Sequence, residues 1–308
     1  MKNPNVKVVG LGEGGARAVS RMMNSHVGEK LSADFVAVGN DENLLLTSAT
    51  KTNIFLNRDD ATVKRQLSEA LDGANFIVLA AGLGSTAAMQ TIPLILSHAH
   101  KHKAQTVAFV NMPSKLEKNS RHENAAHCLS DLAKADSVFA VPAEKFFLFR
   151  LNRKEISLKD LFTVADEIFC NGVKNFLDAL ADEKKPADVL KFGDAAFCYG
   201  EAEGIDSTVD ALKAALKFPL LDVDELKRAP KIFIRVTGGE LFFKTTADAA
   251  KKFFRDEVTD TKVIWRVDKD SAIVNKVRAS IMFTRPLAPS ADKSTFPSLK
   301  NLLGRFQP

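Results

Sequence analysis

The sequence predicts an α/β protein with a Rossmann-like parallel-sheet lobe suited to a nucleotide, a long central helix and a second, α+β lobe. Three observations carry that prediction. Short β-rich runs alternate with helically periodic segments through the first half, an arrangement that specifies parallel strands joined by crossover helices. A long helical segment, apolar around most of its circumference, follows at Ser157 to Ala181, and such a helix is buried rather than surface-lying. Glycine clusters stand at two of the strand-to-helix junctions, where bare backbone N–H groups can meet an anion.

The elements follow in order. Strands are expected at Val6 to Leu11, Phe35 to Val38, Asn53 to Leu56, Phe76 to Ala81, Thr106 to Val110 and Ser137 to Val141. Between them, apolar residues recur at helical spacing over Gly15 to Ser25, Asp60 to Leu71, Thr86 to His102 and Glu117 to Ala133. In the central helix the apolar set is Leu161, Val164, Ala165, Ile168, Phe169, Gly172, Val173, Phe176 and Leu177. After the Lys184-Lys185-Pro186 break, the second lobe carries a helix near Ser207 to Lys217 and strands at Lys231 to Val236, Lys262 to Val267 and Val277 to Thr284. The last segment, Pro286 to Pro308, is rich in Pro, Ser, Lys and Asp and reads as a tail, with Leu299, Leu302, Leu303 and Phe306 on one face of a short helix capped by Ser298. The expected division is 1–156, 157–181, 182–285 and 286–308.

Composition narrows the class. Of 308 residues, 45% are hydrophobic and 26% charged, with a formal charge of +5, a profile that excludes wholesale disorder. Lys and Arg are interspersed with acids and accompany no nucleic-acid-binding module, so specific nucleic-acid binding is not expected. No apolar run approaches the roughly 20 residues of a membrane span, and no signal peptide is read at the start. Cys128, Cys170 and Cys198 are odd in number and far apart, which points to reduced, buried thiols in a cytoplasmic chain. The run His98, His100, His102 places only His98 and His102 on one helix face and supplies no third metal ligand. No metal is expected.

Two junctions hold the candidate chemistry. Gly10, Gly12, Gly14 and Gly15 follow the first strand, at a helix N-terminus suited to phosphate. Gly10, Gly12 and Gly15 also satisfy G-x-G-x-x-G with Asp41 past the second strand, so a dinucleotide site is an alternative, and a turn that only packs helix on strand is another. The second junction, Gly82-Leu83-Gly84-Ser85-Thr86, adds two glycines and two hydroxyls. Thr86 is expected to cap the helix that follows, and Asp60 the helix before it.

The segments VVGLGEGGARAVSRM, FVAVGNDENLL, FIVLAAGLGSTAAMQTIP, VAFVNMPSKLEKNSRHENA and VFAVPAEKFF, followed by LFTVADEIFCNGV, FGDAAFCYGEAEG, ALKFPLLDVDELKRAPKIFIRVTGGELFF and KVRASIMFT, resemble the FtsZ branch of the tubulin superfamily in order and spacing. The resemblance covers about residues 5 to 285. It implies the tubulin/FtsZ fold, with the second lobe as the activation lobe, and a polymer-forming protein whose GTP site is completed by an acidic loop of the next subunit.

Position by position, the resemblance implies a phosphate loop at Gly10 to Gly15 interrupted by Glu13, with Arg17 where the family has a base-proximal Asn. The family signature GGGTGTG falls on Gly84 to Gln90 and loses most of its glycines, leaving Gly84, Ser85 and Thr86, with Gly82 of the same junction, as candidate contacts. A further glycine loop is shortened to Leu56-Asn57-Arg58-Asp59-Asp60. On the nucleoside side, Glu117 and Arg121 resemble the ribose-proximal pair and Asp166 the carboxylate that accepts guanine N–H groups, while Ala143 replaces an Asn that reads the base. In the catalytic loop, Lys185 replaces the first Asp and only Asp188 remains.

The functional expectation is an FtsZ-like filament protein that self-assembles or co-assembles with another filament protein, binds GTP or GDP weakly or not at all, and hydrolyses GTP poorly or not at all. The alternatives are an active FtsZ-type GTPase with altered loops and, lower, a NAD-binding Rossmann enzyme. The tail is expected to meet a membrane-linked adaptor, bringing the protein to the membrane periphery.

Overall fold

The computed structural model describes residues 4–143, 145, 158–182, 193–204, 206–239, 246–258, 263–270, 273 and 275–285. The described residues fall into two compact units, 4–182 and 193–285.

In the first unit, six strands form an all-parallel sheet: β1 (Val6–Leu11), β2 (Asp34–Gly39), β3 (Thr52–Phe55), β4 (Phe76–Gly82), β5 (Gln105–Met112) and β6 (Ser137–Pro142). Their order is β3-β2-β1-β4-β5-β6. The runs are nearly continuous in Val, Ile, Leu, Ala and Phe because parallel strands covered on both faces have no solvent side to alternate toward. The helices are α1 (Gly12–Asn24), α2 (Glu42–Leu46), α3 (Asp60–Ala70), α4 (Thr86–His102), α5 (Asn119–Leu132) and α6 (Leu158–Asp182), with a 3-10 turn at Glu29–Leu31. Val63 and Leu67 of α3, Ile92 and Ile95 of α4, and Leu129 and Leu132 of α5 share one apolar cluster with Val9, Ile77, Leu79 and Ala108 of the sheet. Helix α6 is buried through Phe169, Val173, Phe176 and Leu177. Phe176 meets Phe109 of β5 edge-on at 6.4 Å, and Phe109 stacks on Phe139 of β6 at 4.5 Å.

The strand order reverses between β1 and β4, and the register sets Gly10 beside Ala80 and Leu11 beside Ala81. In open parallel sheets the crevice beyond the carboxyl ends at such a reversal is where ligands bind. Both glycine junctions stand there.

The second unit has β7 (Gly193–Glu203), β8 (Ile232–Gly238), β9 (Val263–Lys269) and β10 (Lys276–Thr284), with α7 (Ser207–Leu216), α8 (Val223–Lys227) and α9 (Thr246–Glu257). Strand β10 is antiparallel to β7 and β8, while β8 and β9 run parallel. Strand β7 and helices α8 and α9 were not expected as elements. Glycine 200 explains how α7 seats on β7: a Cβ there would lie 2.6 Å from the carbonyl carbon of Ala214. Asp194, at the start of β7, pairs with Arg285 after β10 at 3.0 Å, and Arg285 also reaches Glu225 of α8 at 3.3 Å. Among the described residues, no helix is long and apolar enough to cross a membrane.

Two helix starts correct the sequence expectation. The N-cap of α4 is Ser85, whose side chain accepts from the Ala88 N–H at 3.1 Å, and Thr86 is the first helical residue. The N-cap of α3 is Asp59, which accepts from the Thr62 N–H at 2.9 Å, with Asp60 one place inside. In both cases the cap is one residue earlier because its side chain reaches the N–H three places on. The Thr62 backbone and hydroxyl hold the Asp59 carboxyl below its ordinary value.

Candidate nucleotide site at the strand reversal

Strand β1 passes into α1 through Gly12, at φ +71, and no side chain caps the helix. Gly10 and Gly15 are required by packing. A Cβ on Gly10 would lie 2.5 Å from the Gly15 carbonyl carbon and 2.8 Å from Val19 Cγ2, and one on Gly15 would lie 2.8 Å from the Gly10 carbonyl carbon. These two positions seat α1 on the sheet whether or not any ligand is bound. Gly14 and Gly82 are different, since a Cβ on Gly14 meets only Arg17 Nη2 at 4.0 Å and one on Gly82 meets nothing within 4 Å.

The second junction lies against the first. A Cβ on Gly12 would meet Ser85 Oγ at 3.0 Å and Ala87 Cβ at 3.6 Å, so the two junctions pack closely at Gly12. Gly84 packs against α5: a Cβ there would meet Arg121 Nε at 2.9 Å, and Asn124 Nδ2 donates to the Gly84 carbonyl at 3.3 Å. Thr86 is exposed.

Glu117 and Arg121 do come together. Arg121 Nε lies 2.5 Å from Glu117 Oε2, and the other Glu117 oxygen accepts from the Ser114 N–H at 2.8 Å. Both carboxylate oxygens are thus engaged, one by the β5–α5 turn and one by the first turn of α5.

Asp166, on α6, is buried, and Arg17, on α1, reaches it with two nitrogens: Nε to Oδ2 at 3.0 Å and Nη2 to Oδ1 at 3.3 Å. The third guanidinium nitrogen, Nη1, lies 3.4 Å from Glu13 Oε1, so Glu13 is turned onto Arg17. The Phe162 ring, half exposed on α6, lies under the guanidinium at 4.9 Å. One turn further along α1, Arg21 pairs with Glu167 at 3.2 Å. Burial pushes the Asp166 carboxyl above its ordinary value, and the hydrogen bonds and charge of Arg17 act against that rise. Phe162, Arg21 and Glu167 were not singled out in the sequence. The signal for the ion pairs was present in arginines four apart on one helix and adjacent acids on another, but their partnership was not written in spacing.

Asp188, Lys184 and Lys185 lie outside the described residues, as does the tail from Pro286. The His98 and His102 rings stack at 4.3 Å. No group of three or more His, Cys, Asp or Glu is placed to hold a metal among the described residues. Cys128, Cys170 and Cys198 are buried thiols, and burial pushes Cys128 up to about 12.

The model of the FtsZ family C-terminal domain matches residues 193–285. The cell division protein FtsZ of Magnetospirillum gryphiswaldense is 27% identical over 99% of this chain and 58% of its own length, and FtsZ 1 of Pyrococcus horikoshii is 28% identical over 91% of this chain and 80% of its own. The chain thus spans little more than half of the first relative. An empty FtsZ dimer of M. jannaschii superposes with a TM-score of 0.78 at 23% identity, covering 91% of this chain and 88% of that one. CetZ2 of Haloferax volcanii, solved as a GTPγS-bound protofilament, superposes with a TM-score of 0.73 at 17% identity over 98% and 97% of the two chains. With the six-stranded parallel sheet and its strand reversal between β1 and β4, these likenesses show the fold shared by FtsZ and CetZ and a sequence similar to FtsZ proteins over nearly the whole chain.

Proposed function

We propose that this FtsZ-like chain is a cytoskeletal protein that self-assembles, or co-assembles with another filament protein, through a nucleotide site that has degenerated, so that GTP or GDP is held weakly and GTP hydrolysis is reduced or absent. The observation that carries this reading is the make-up of the two junctions: Glu13, turned onto Arg17, interrupts the first, and Ser85, Thr86 and Ala87 stand where the family signature has mostly glycines. Phosphate recognition by a glycine loop needs backbone N–H groups at hydrogen-bond distance, and Cβ atoms at Ser85, Thr86 and Ala87 restrict that close approach. Each charge-assisted hydrogen bond lost is worth roughly 1.5–3 kcal/mol, so losing two lowers affinity by about two to four powers of ten. The empty FtsZ dimer and the CetZ2 protofilament support self-association as the retained property. The tail from Pro286, on this reading, serves a membrane-linked partner of a cytoplasmic filament.

The test is sedimentation and electron microscopy of the full chain without nucleotide, with GDP and with GTP, beside phosphate release. Equal assembly in all three, with release at background, is expected. Assembly strictly dependent on GTP, with steady turnover, would instead establish the active GTPase.

A further inference from the structure

The Arg17–Asp166 contact is more than an ion pair bridging two helices. Asp166 is buried and presents its carboxylate edge to a planar group, which it meets through two parallel N–H donors. The same planar group lies over the Phe162 ring. Edge-on carboxylate and face-on aromatic together define a slot for a flat group carrying an H–N–C–N–H fork. Among nucleobases that fork is the N1–C2–N2 edge of guanine, and among side chains it is the guanidinium of arginine. The slot stands at α1, the helix that follows β1 at the strand reversal, where a Cβ on Gly14 would meet Arg17 Nη2 at 4.0 Å.

We propose that Arg17 is a built-in occupant of this slot, an intramolecular stand-in for the guanine edge, and that it excludes guanine by holding Asp166 itself. The proposal rests on reading the nucleotide site as degenerate and names what closes its base end. Glu13 keeps the plug in place by engaging the nitrogen that Asp166 does not, Nη1 at 3.4 Å. A free base must therefore break three contacts made by a tethered group, whose effective concentration exceeds that of a dilute ligand. Lysine in place of Arg17 keeps the charge but loses the fork.

The experiment uses nucleosides, which carry no phosphate and so do not depend on the phosphate loops. Guanosine, inosine and adenosine are titrated by NMR into the full wild-type chain and into Arg17→Ala and Arg17→Gln. The expected result is no measurable guanosine binding by wild type, and binding by both variants at least about ten-fold tighter for guanosine than for adenosine. Inosine, which lacks the N2 amino group, should fall between, and adding Asp166→Asn to Arg17→Ala should abolish the preference. Variants that do not prefer guanosine, or a wild type that binds it equally well, overturn the proposal. Should neither variant fold, the wild-type Arg17 Nε proton decides: slow exchange, unmoved by guanosine, is expected, and rapid exchange overturns it. Strict GTP dependence of wild-type assembly, by contrast, would overturn the degenerate-site reading and is measured separately.

Discussion

The carbonyl carbon of Gly15 stands 2.5 Å from the place a Cβ on Gly10 would occupy. Both residues are therefore needed by the packing of α1 on β1. Gly10→Ala and Gly15→Ala should each destabilise the fold by about 3 kcal/mol or more, because backbone rather than a flexible side-chain end must yield. Gly82→Ala, with open space around its position, should stay within about 1 kcal/mol of wild type. Urea unfolding of the three variants checks the contrast. Equal losses at Gly10 and Gly82 would show that the Gly10 contact is relieved cheaply.

The strands of the first unit were legible because buried parallel strands are written as continuous apolar runs, Val6 to Leu11 and Phe76 to Ala81 being the clearest. Strand β7 was not. Its Gly-Asp-Ala-Ala-Phe-Cys-Tyr-Gly-Glu run mixes small residues with poor strand formers, and it is a strand because Gly200 admits α7 and β10 pairs along it. Helix α9 was hidden by charge, since Lys251, Lys252, Arg255 and Asp256 surround the apolar Ala247, Ala250 and Phe254 that it buries. In the site, glycine positions were readable and side-chain partnerships were not. Arg17 and Asp166 are 149 positions apart and meet only when α1 and α6 pack. Helix caps were placed one residue late because Ser85-Thr86 and Asp59-Asp60 each offer two adjacent capping side chains.

Those caps yield a paired test. Ser85→Ala and Asp59→Ala should each cost about 1 kcal/mol, the usual value of a lost N-cap hydrogen bond. Thr86→Ala and Asp60→Ala, one place inside their helices, should lie near zero or within a few tenths of a kcal/mol. Thermal melts of the four variants decide, and a Thr86 loss equal to that of Ser85 would return the cap to the later position.

In the second unit, Asp194 has one oxygen on Arg285 and one, Oδ2, without a hydrogen-bond partner. Burial pushes its carboxyl above the ordinary value, with Arg285 acting against the rise and Glu225 adding to it. The native state thus holds a proton more readily than the unfolded chain, so this group makes stability fall as pH rises from the ordinary carboxylate range through the raised native value. Arg285→Leu removes the partner and enlarges that slope. A loss of about 3–5 kcal/mol is expected near neutral pH, where an unpaired buried carboxylate remains. Near pH 4 the loss should be smaller, because a protonated Asp194 no longer needs the cation. Urea unfolding at the two pH values measures it, and an equal loss at both would assign Arg285 a packing role alone.

His98 titrates in the opposite sense. Burial lowers its pKa below the ordinary 6.5, and the charges of His102 and Lys101 lower it further, while the Leu71 backbone and the charge of Asp72 oppose the fall. Its Nε2 is buried without a partner, and Nδ1 lies 3.5 Å from Ser68 Oγ across the α3–α4 contact. The unfolded chain therefore takes up the proton first on acidification, and stability falls as pH drops from about 6.5 toward the lowered native value. His98→Leu removes both the titrating group and the unpaired nitrogen while keeping comparable bulk. Its stability should consequently lack the His98 share of the decline below about pH 6.5, and it should match or exceed wild type on the acidic side of that value. His102→Leu leaves His98 in place but removes a cationic neighbour, so it should shift the decline to lower extent without abolishing it. Unfolding midpoints across the window distinguish the two variants, and an unchanged slope in His98→Leu would locate the acid sensitivity in another group.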